Sequence, residues 1–484
     1  MEIKDIIGLL LLVLATLTTV VTVCFSQRAR DAAFFLMIAG IVVSDRMDIN
    51  FFSHFWYRGT TRGLEISLVD VLAFSVFISS FLRPRYGESR GFWPPALGFM
   101  MLFFLYAAGS LVLVEPRVFG LFELSKMVRG LIFFLAAALF VRIEREVCIL
   151  ILALCCAACL EGVLAIKQHW LMHLERVAGS LDHSNSLSVY LCLIGPILVA
   201  AINSNIPRWL RWCCAVAIPA TALSIVLTVS RAGVPVFFLV VFATALSCMT
   251  WRITAGKIIA TFAVAIGLCG LGYCFWDNLK ERYAESTLQD EYMNENLVEN
   301  RGYYLRLASA IVEDRFFGVG LNNWSYWVSE RYGARINTPF RYNSYNEIPP
   351  GLLNTDDNQL NFAAPAHNLG ALTVGELGVP GLVLFLLLWL RWLQMGASFF
   401  FKRNRTAMRQ LGLGILFGML GVFFQSVTEW SFRHTPVFLT FHATAGVLAS
   451  LYFARRHPQS EAESEEVEVA EVVEEEQWSP AAAR

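Results

Sequence analysis

Long apolar runs separated by short polar turns make up most of the chain, broken once by an extended polar interval at 276–368. A helix that crosses a bilayer needs roughly 20 predominantly apolar residues. Runs of that kind lie at 6–24, 32–44, 66–82, 95–114, 120–141, 147–165, 187–203, 209–229, 232–250, 256–275, 370–394, 408–427 and 435–453. Two are marginal: 32–44 is short, and 120–141 carries Glu123, Lys126 and Arg129. The pattern predicts an all-α polytopic membrane protein with 12 or 13 spans and one large, partly helical polar loop. The first run is longer than a signal-peptide core, and Ser26-Gln27-Arg28-Ala29-Arg30 follows it in place of a small-residue cleavage site, so it reads as a retained helix.

Within the loop the pattern changes. Asp277 to Glu299 is acidic with little to bury, whereas from Tyr303 a helical period appears, with Tyr303/Tyr304, Leu307 and Ile311 on one face and Arg306 on the neighbouring flank. Gly318 and Gly320 end that helix. The proline-rich stretch from Asn337 to Pro365 reads as irregular, with the form of a lid. Five segments result: N-terminal spans at 1–165, spans with outward motifs at 166–275, the loop at 276–368, C-terminal spans at 369–453, and an acidic tail at 454–484. From His457 the tail holds nine Glu and almost no aromatic residue, the composition of a disordered cytoplasmic segment.

Short cytoplasmic loops carry the excess of Lys and Arg. Lys402, Arg403, Arg405 and Arg409, with Arg455 and Arg456, place the long loop outside. Counting back keeps Arg252/Lys257, Arg208/Arg211, Arg142/Arg145 and Arg83/Arg85/Arg90 inside, and Arg231 and the 166–186 connection outside. Ten spans before the loop put the N-terminus outside. If 32–44 fails to cross, both termini are cytoplasmic, and this is the arrangement expected here, although Arg28 and Arg30 oppose it.

Composition agrees with a membrane protein: 56% of the 484 residues are hydrophobic and 16% charged. A net charge of −1 supplies no field for nucleic acid, which drops out as a partner. All eleven cysteines lie in or beside apolar runs, where they serve as small packing residues; even the Cys156/Cys159 pair is mid-run with no second pair.

Polar groups gather at the outward ends of the spans. Arg231, in Ser230-Arg231-Ala232-Gly233, stands alone between two apolar runs and is either a snorkelling turn residue or a phosphate ligand. Arg306, with Arg301 nearby, is a surface charge or a second anion ligand. His367, in Ala366-His367-Asn368, can take a proton near neutral pH, or it anchors the loop's return. The turn Gly179-Ser-Leu-Asp182-His183-Ser184-Asn185 caps a helix or lines a sugar site, the cap being the plainer reading. Asp45 and Asp48 resemble an acidic metal pair. No Walker loop, HExxH, nucleophile elbow or dinucleotide fingerprint occurs.

Together, SRAG at 230–233, the helix from Arg306 to Asp314 leading into Phe317-Gly-Val-Gly320, and Ala366-His367-Asn368 followed by Gly375-Glu376-Leu-Gly378 resemble the O-antigen ligase and polymerase superfamily of bacterial envelopes. The resemblance covers roughly 180–395; the other spans are similar only in number and topology. It implies that the large loop is periplasmic and that the protein is an enzyme of the bacterial inner membrane that moves a glycan from undecaprenyl diphosphate at the periplasmic face, with no cofactor or metal. It implies catalytic roles for Arg231, Arg306 and His367, and substrate contacts from Arg301, His183, Asn185 and Asn368. Ser184 stands where the family commonly has proline.

The chemistry is compatible with that set. A glycosidase needs two carboxyl groups, but a glycosyl diphosphate already carries a good leaving group. What remains is to stabilise the departing anion, the work of two arginines, and to remove the acceptor's proton, the work of a histidine. Direct displacement inverts the anomeric centre. The acceptor is lipid A-core, a growing polysaccharide or a protein. Two rivals stand beside this reading: a metal-dependent transferase using Asp45 and Asp48, and a lipid-linked glycan flippase whose inner route Asp70, Glu123 and Glu161 would mark.

Overall fold

The computed structural model describes residues 3–54, 56–83, 92–249, 270, 280–281, 284, 288–293, 300–336, 362–401 and 406–456. All but one residue of the expected span at 256–275, most of the acidic first half of the loop, the proline-rich stretch up to position 361 and the acidic tail beyond Arg456 lie outside these residues. The described part is an all-α bundle with one two-stranded antiparallel hairpin, β1 (Ile49–Phe51) and β2 (Leu64–Ile66).

The first six helices are α1 (Ile3–Phe25), α2 (Gln27–Gly40), α3 (Leu68–Leu82), α4 (Leu97–Leu113), α5 (Arg117–Phe140) and α6 (Glu144–Ile166). Next come α7 (Ser184–Ile202), α8 (Arg208–Leu227) and α9 (Gly233–Cys248). The loop contributes α10 (Leu288–Met293) and α11 (Arg301–Asp314), and the chain closes with α12 (Leu369–Ala397), α13 (Ala407–Ser426) and α14 (Thr435–Arg456). Among the described residues seven helices are long and apolar enough to cross a membrane, and α3, α4 and α9 are shorter apolar helices.

The segment at 32–44 behaves differently from the expectation that it fails to cross. At its start Arg30 donates to the Arg83 carbonyl (3.1 Å) and Asp31 pairs with Arg145 (2.9 Å), at the basic end of the bundle. At its far end a 3-10 turn, Ile41–Arg46, brings Asp45 to His434 and Arg46 to the Ser180 carbonyl, at the end where the long loop sits. Helix and turn together therefore traverse the bundle. Consistently, the α1 C-terminus meets Arg83 through the Cys24 carbonyl, and Gly8 near its other end lies against Ile49. This places the start of α1 at the loop end, against the arrangement with both termini cytoplasmic.

Charge does not expel α5 from the bundle, because each charged side chain faces a partner. Lys126 pairs with Glu123 (2.9 Å), and Arg129 with Asp70 (2.8 Å) and Glu65 (3.5 Å). Buried charges persist when they are paired and hydrogen-bonded, and Thr60 and Thr61 donate to the Glu123 carboxylate as well. The best-buried spanning helices are α7 and α14, each 89% enclosed along its most apolar window. Ser188 of α7 and Gln425 of α13 exchange hydrogen bonds, of 2.8 Å to the Gln425 side chain and 3.3 Å to the Ser188 carbonyl, which ties α13 to this core.

Helix α11 forms where the period predicted, capped by Asn300 Oδ1, which accepts from Tyr303 N (2.7 Å). Tyr303, Tyr304, Leu307 and Ile311 are all buried. The chain after it is threaded, backbone to backbone, against a kink in α12. Val319 N donates to Gly375 O (3.0 Å), Gly320 N to Glu376 O (2.8 Å), and Val379 N to Phe316 O (3.1 Å). Gly318 and Gly378 both have positive φ, +78° and +68°. A Cβ would stand 2.3 Å from the Glu376 carbonyl oxygen at Gly318 and 2.1 Å from the Phe316 oxygen at Gly378. The two glycine motifs are thus halves of one lock, which fixes α11 to the membrane helix that follows His367.

Candidate functional site

Five connections gather at the loop end of the bundle: the turn before α7, the turn between α8 and α9, α10 with the start of α11, the approach to α12, and the turn between α13 and α14. Three of them, through Asn185, Arg301 and His367, meet at Glu429 in the last, a residue the sequence did not single out. Its side chain is 8% exposed although it sits in a connecting turn. One carboxylate oxygen accepts from Asn185 Nδ2 (2.6 Å) and faces Arg301 Nη2 (3.7 Å). The other lies 2.9 Å from Nδ1 of His367.

That last contact orients the histidine. A carboxylate only accepts, so Nδ1 donates to Glu429, and in the neutral ring Nε2 is then the nitrogen with the lone pair. The His367 side chain is 36% exposed, so the basic nitrogen belongs to an accessible ring on a buried anchor. Tyr304 packs on it, with ring centroids 5.6 Å apart. Asn368 has a scaffolding part: its Oδ1 caps α12 by accepting from Ala371 N (2.8 Å), and its Nδ2 donates to the Val427 carbonyl (2.7 Å), two residues from Glu429. Its neighbour is held in place by that clamp.

The turn before α7 divides its labour. His183 is the cap, its Nδ1 accepting from Asn185 N (3.2 Å), so the capping expectation holds with histidine in the role. Asn185 turns into the site. Its Nδ2 meets Glu429 and its Oδ1 accepts from Arg176 (3.1 Å), which also donates to the Thr228 carbonyl (3.3 Å). Arg176 therefore joins this turn to the one that carries Arg231.

Arg231 pairs with Glu291 of α10 (2.9 Å), and the other oxygen of that carboxylate pairs with Arg301. Arg301 also donates to the Thr428 carbonyl (3.2 Å). One carboxylate thus spans two arginines from distant parts of the chain, the geometry in which guanidinium groups grip phosphate oxygens. Arg306 lies half-buried one turn further along α11, with no ion pair to a described residue, so the contacts tie Arg301 and not Arg306 to the cluster.

Among the described residues, three donor atoms that approach one another belong to Asp45, Asp182 and His434, all within 4.8 Å, a group that holds Asp45 but not Asp48. Asp48 starts the hairpin instead, and burial pushes its carboxyl up to about 6, with Glu65 adding to the effect. The three acids of a translocation route are engaged at the loop end: Asp70 with Ser67 and Arg129, Glu123 with Lys126, and Glu161 with Ser180.

Glu429, Arg176 and Glu291 are the residues that sequence reading missed. Each lies in a polar connection, Glu291 on its short helix α10, where acids and arginines are ordinary, and what marks them is contact across long sequence separations. The family comparison falls on the same ground. Residues 214–386 match the family model described as O-antigen ligase. The matched stretch holds Arg231, Glu291, Arg301, Arg306, His367 and the glycine lock, and it ends before Glu429. No curated protein matches the chain. The match supports a likeness to the O-antigen ligase and polymerase superfamily over that stretch, and the apolar helices agree with a multi-pass membrane protein.

Proposed function

We propose that this O-antigen ligase/polymerase-type protein transfers a glycan from a polyprenyl diphosphate carrier to an acceptor hydroxyl at the periplasmic face of the inner membrane. The observation that carries the proposal is the convergence on Glu429: a buried carboxylate orients an accessible histidine and faces one of two arginines that share an anion position. Arg231 and Arg301 take the donor's diphosphate. Arg301 replaces Arg306 as the second diphosphate ligand because only Arg301 has contacts in the cluster, and Arg306 remains a candidate for the carrier or acceptor.

In the reaction the acceptor oxygen attacks the anomeric carbon as the bond from that carbon to the diphosphate oxygen breaks. His367 Nε2 takes the hydroxyl proton, Glu429 stabilises the imidazolium that forms, and the arginines hold the departing polyprenyl diphosphate. Inversion follows from the single displacement. Preorganised charge of this kind supplies on the order of 3 kcal/mol per group, and a positioned base about 10²- to 10⁴-fold. The acceptor is lipid A-core, a growing polysaccharide or a protein, and comparing the three products in a deletion strain separates them.

The test is transfer of a lipid-linked glycan by the purified protein with EDTA present. His367→Ala removes the base and should abolish transfer while leaving donor binding intact. Full activity of that variant would overturn the assignment. Movement of the lipid-linked glycan across liposomes without bond formation would replace the enzyme by a transporter.

A further inference from the structure

The carboxylate that spans Arg231 and Arg301 stands at the position proposed above for the donor's diphosphate. It arrives on a docked element. Asn300 Nδ2 donates to the Asp290 carbonyl (3.2 Å), and Gly302 presses so closely on the Tyr292 carbonyl that a Cβ there would lie 2.1 Å from its oxygen. Helix α10 is thereby seated on the first turn of α11, and Glu291, at 14% side-chain exposure, is directed at both guanidinium groups.

We infer that Glu291 is an internal counter-anion that competes with the donor diphosphate for Arg231 and Arg301 and so sets donor affinity. Resting on the diphosphate role proposed for these arginines, this assigns the donor-free site a closed form with Glu291 in place. A diphosphate, with more charge and more oxygens, displaces the carboxylate. When the polyprenyl diphosphate product leaves, the carboxylate re-pairs with the arginines and prevents immediate rebinding.

Competition of this kind lowers apparent affinity by the fraction of time the site is open. If Glu291 occupies the arginines about nine-tenths of the time, its removal tightens binding about tenfold.

The experiment measures binding of inorganic pyrophosphate to the full-length protein in nanodiscs, together with steady-state donor kinetics. Glu291→Gln should bind pyrophosphate about tenfold more tightly and show a lower donor KM with no gain in kcat. Glu291→Asp, with charge kept and reach shortened, should fall between. Unchanged binding in Glu291→Gln, with Arg231→Ala still abolishing it in the parent, overturns the inference and leaves the diphosphate site standing. Weaker binding in Glu291→Gln with parental binding in Glu291→Asp also overturns it, because the carboxylate would then be positioning the arginines. If Arg231→Ala and Arg301→Ala bind pyrophosphate as the parent does, the diphosphate reading itself fails.

Discussion

Replacing Glu429 by glutamine keeps the size and the buried position of the side chain but removes its charge, so it isolates what the carboxylate does for His367. In the native site it accepts from Asn185 at 2.6 Å and from His367 at 2.9 Å, and it faces Arg301 at 3.7 Å. A hydrogen bond to a charged group contributes about 1.5 kcal/mol more than nothing and at least half a kcal/mol more than a neutral one. Two such bonds become neutral or reverse, and the imidazolium formed during transfer loses its counter-charge. Losing the charge-assisted bond to the imidazolium costs about 1.5–3 kcal/mol in the transition state, which is roughly ten- to a hundredfold or somewhat more in rate. Because Glu429 meets the histidine and only flanks the arginine, the loss belongs in kcat, with the donor KM within a few-fold. The assay is steady-state transfer with saturating acceptor, alongside a melting curve to establish that Glu429→Gln folds. Parental kcat in a folded variant, or a defect confined to donor KM, would refute the role given to this carboxylate.

The remaining predictions concern the second arginine, the glycine lock, the hairpin acid and metal. Arg301→Ala should impair transfer at least about tenfold more than Arg306→Ala, since loss of a charged ligand in a partly buried site costs several kcal/mol; the opposite order, read in the same donor titration, would restore Arg306. Gly378→Ala places a side chain at positive φ and against the Phe316 carbonyl, so it should cost on the order of 1–3 kcal/mol of stability and lower the melting temperature. Asp48, its carboxyl raised to about 6, is more easily ionised in the unfolded chain, so it favours folding in acid and opposes it once pH rises through 6. Asp48→Asn should therefore melt higher than the parent at pH 8, with the gap closing below about pH 4; a gap independent of pH would exclude this cause. Transfer should survive EDTA and Asp45→Asn alike, whereas loss in both would assign a metal to Asp45, Asp182 and His434.

The membrane helices were legible because their signal is local. A run of apolar residues needs no partner to be read, and α3 to α9 begin and end within a few positions of the runs that predicted them. The buried face of α11 was legible for the same reason, since periodicity fixes which residues share a side. The segment at 32–44 misled because its crossing is made by a helix joined to a tighter 3-10 turn, which carries Asp45 and Arg46 at its end and so lacks a long apolar run. Asn185, Arg231, Arg301 and His367 were found by residue type at outward ends. Glu429 was not, because an acid beside Thr428 and Trp430 in a short turn looks solvated until α7 and α12 are folded against it. Rank among the arginines was not legible either: spacing places Arg301 and Arg306 on one helix, and only long-range contacts tell them apart.

Those contacts also separate the two carboxylates of the site. Arg231 and Arg301 both pair with Glu291, Arg301 also faces Glu429, and Arg176 holds Asn185 beside them. Charge in a partly buried site is costly without a counter-ion, so an internal anion beside these arginines favours the donor-free protein. Glu429 cannot serve as an exchangeable one. It is held between the ends of α13 and α14, at 8% exposure, and is committed to Asn185 and His367. Withdrawing it would uncouple the base from the bundle. Glu291 comes instead from a helix of six residues in the loop and touches neither group that handles the proton. The division of labour follows from where each acid is anchored: the one fixed to the membrane core stays with the histidine throughout the cycle, and the one carried by the loop yields its place to the diphosphate.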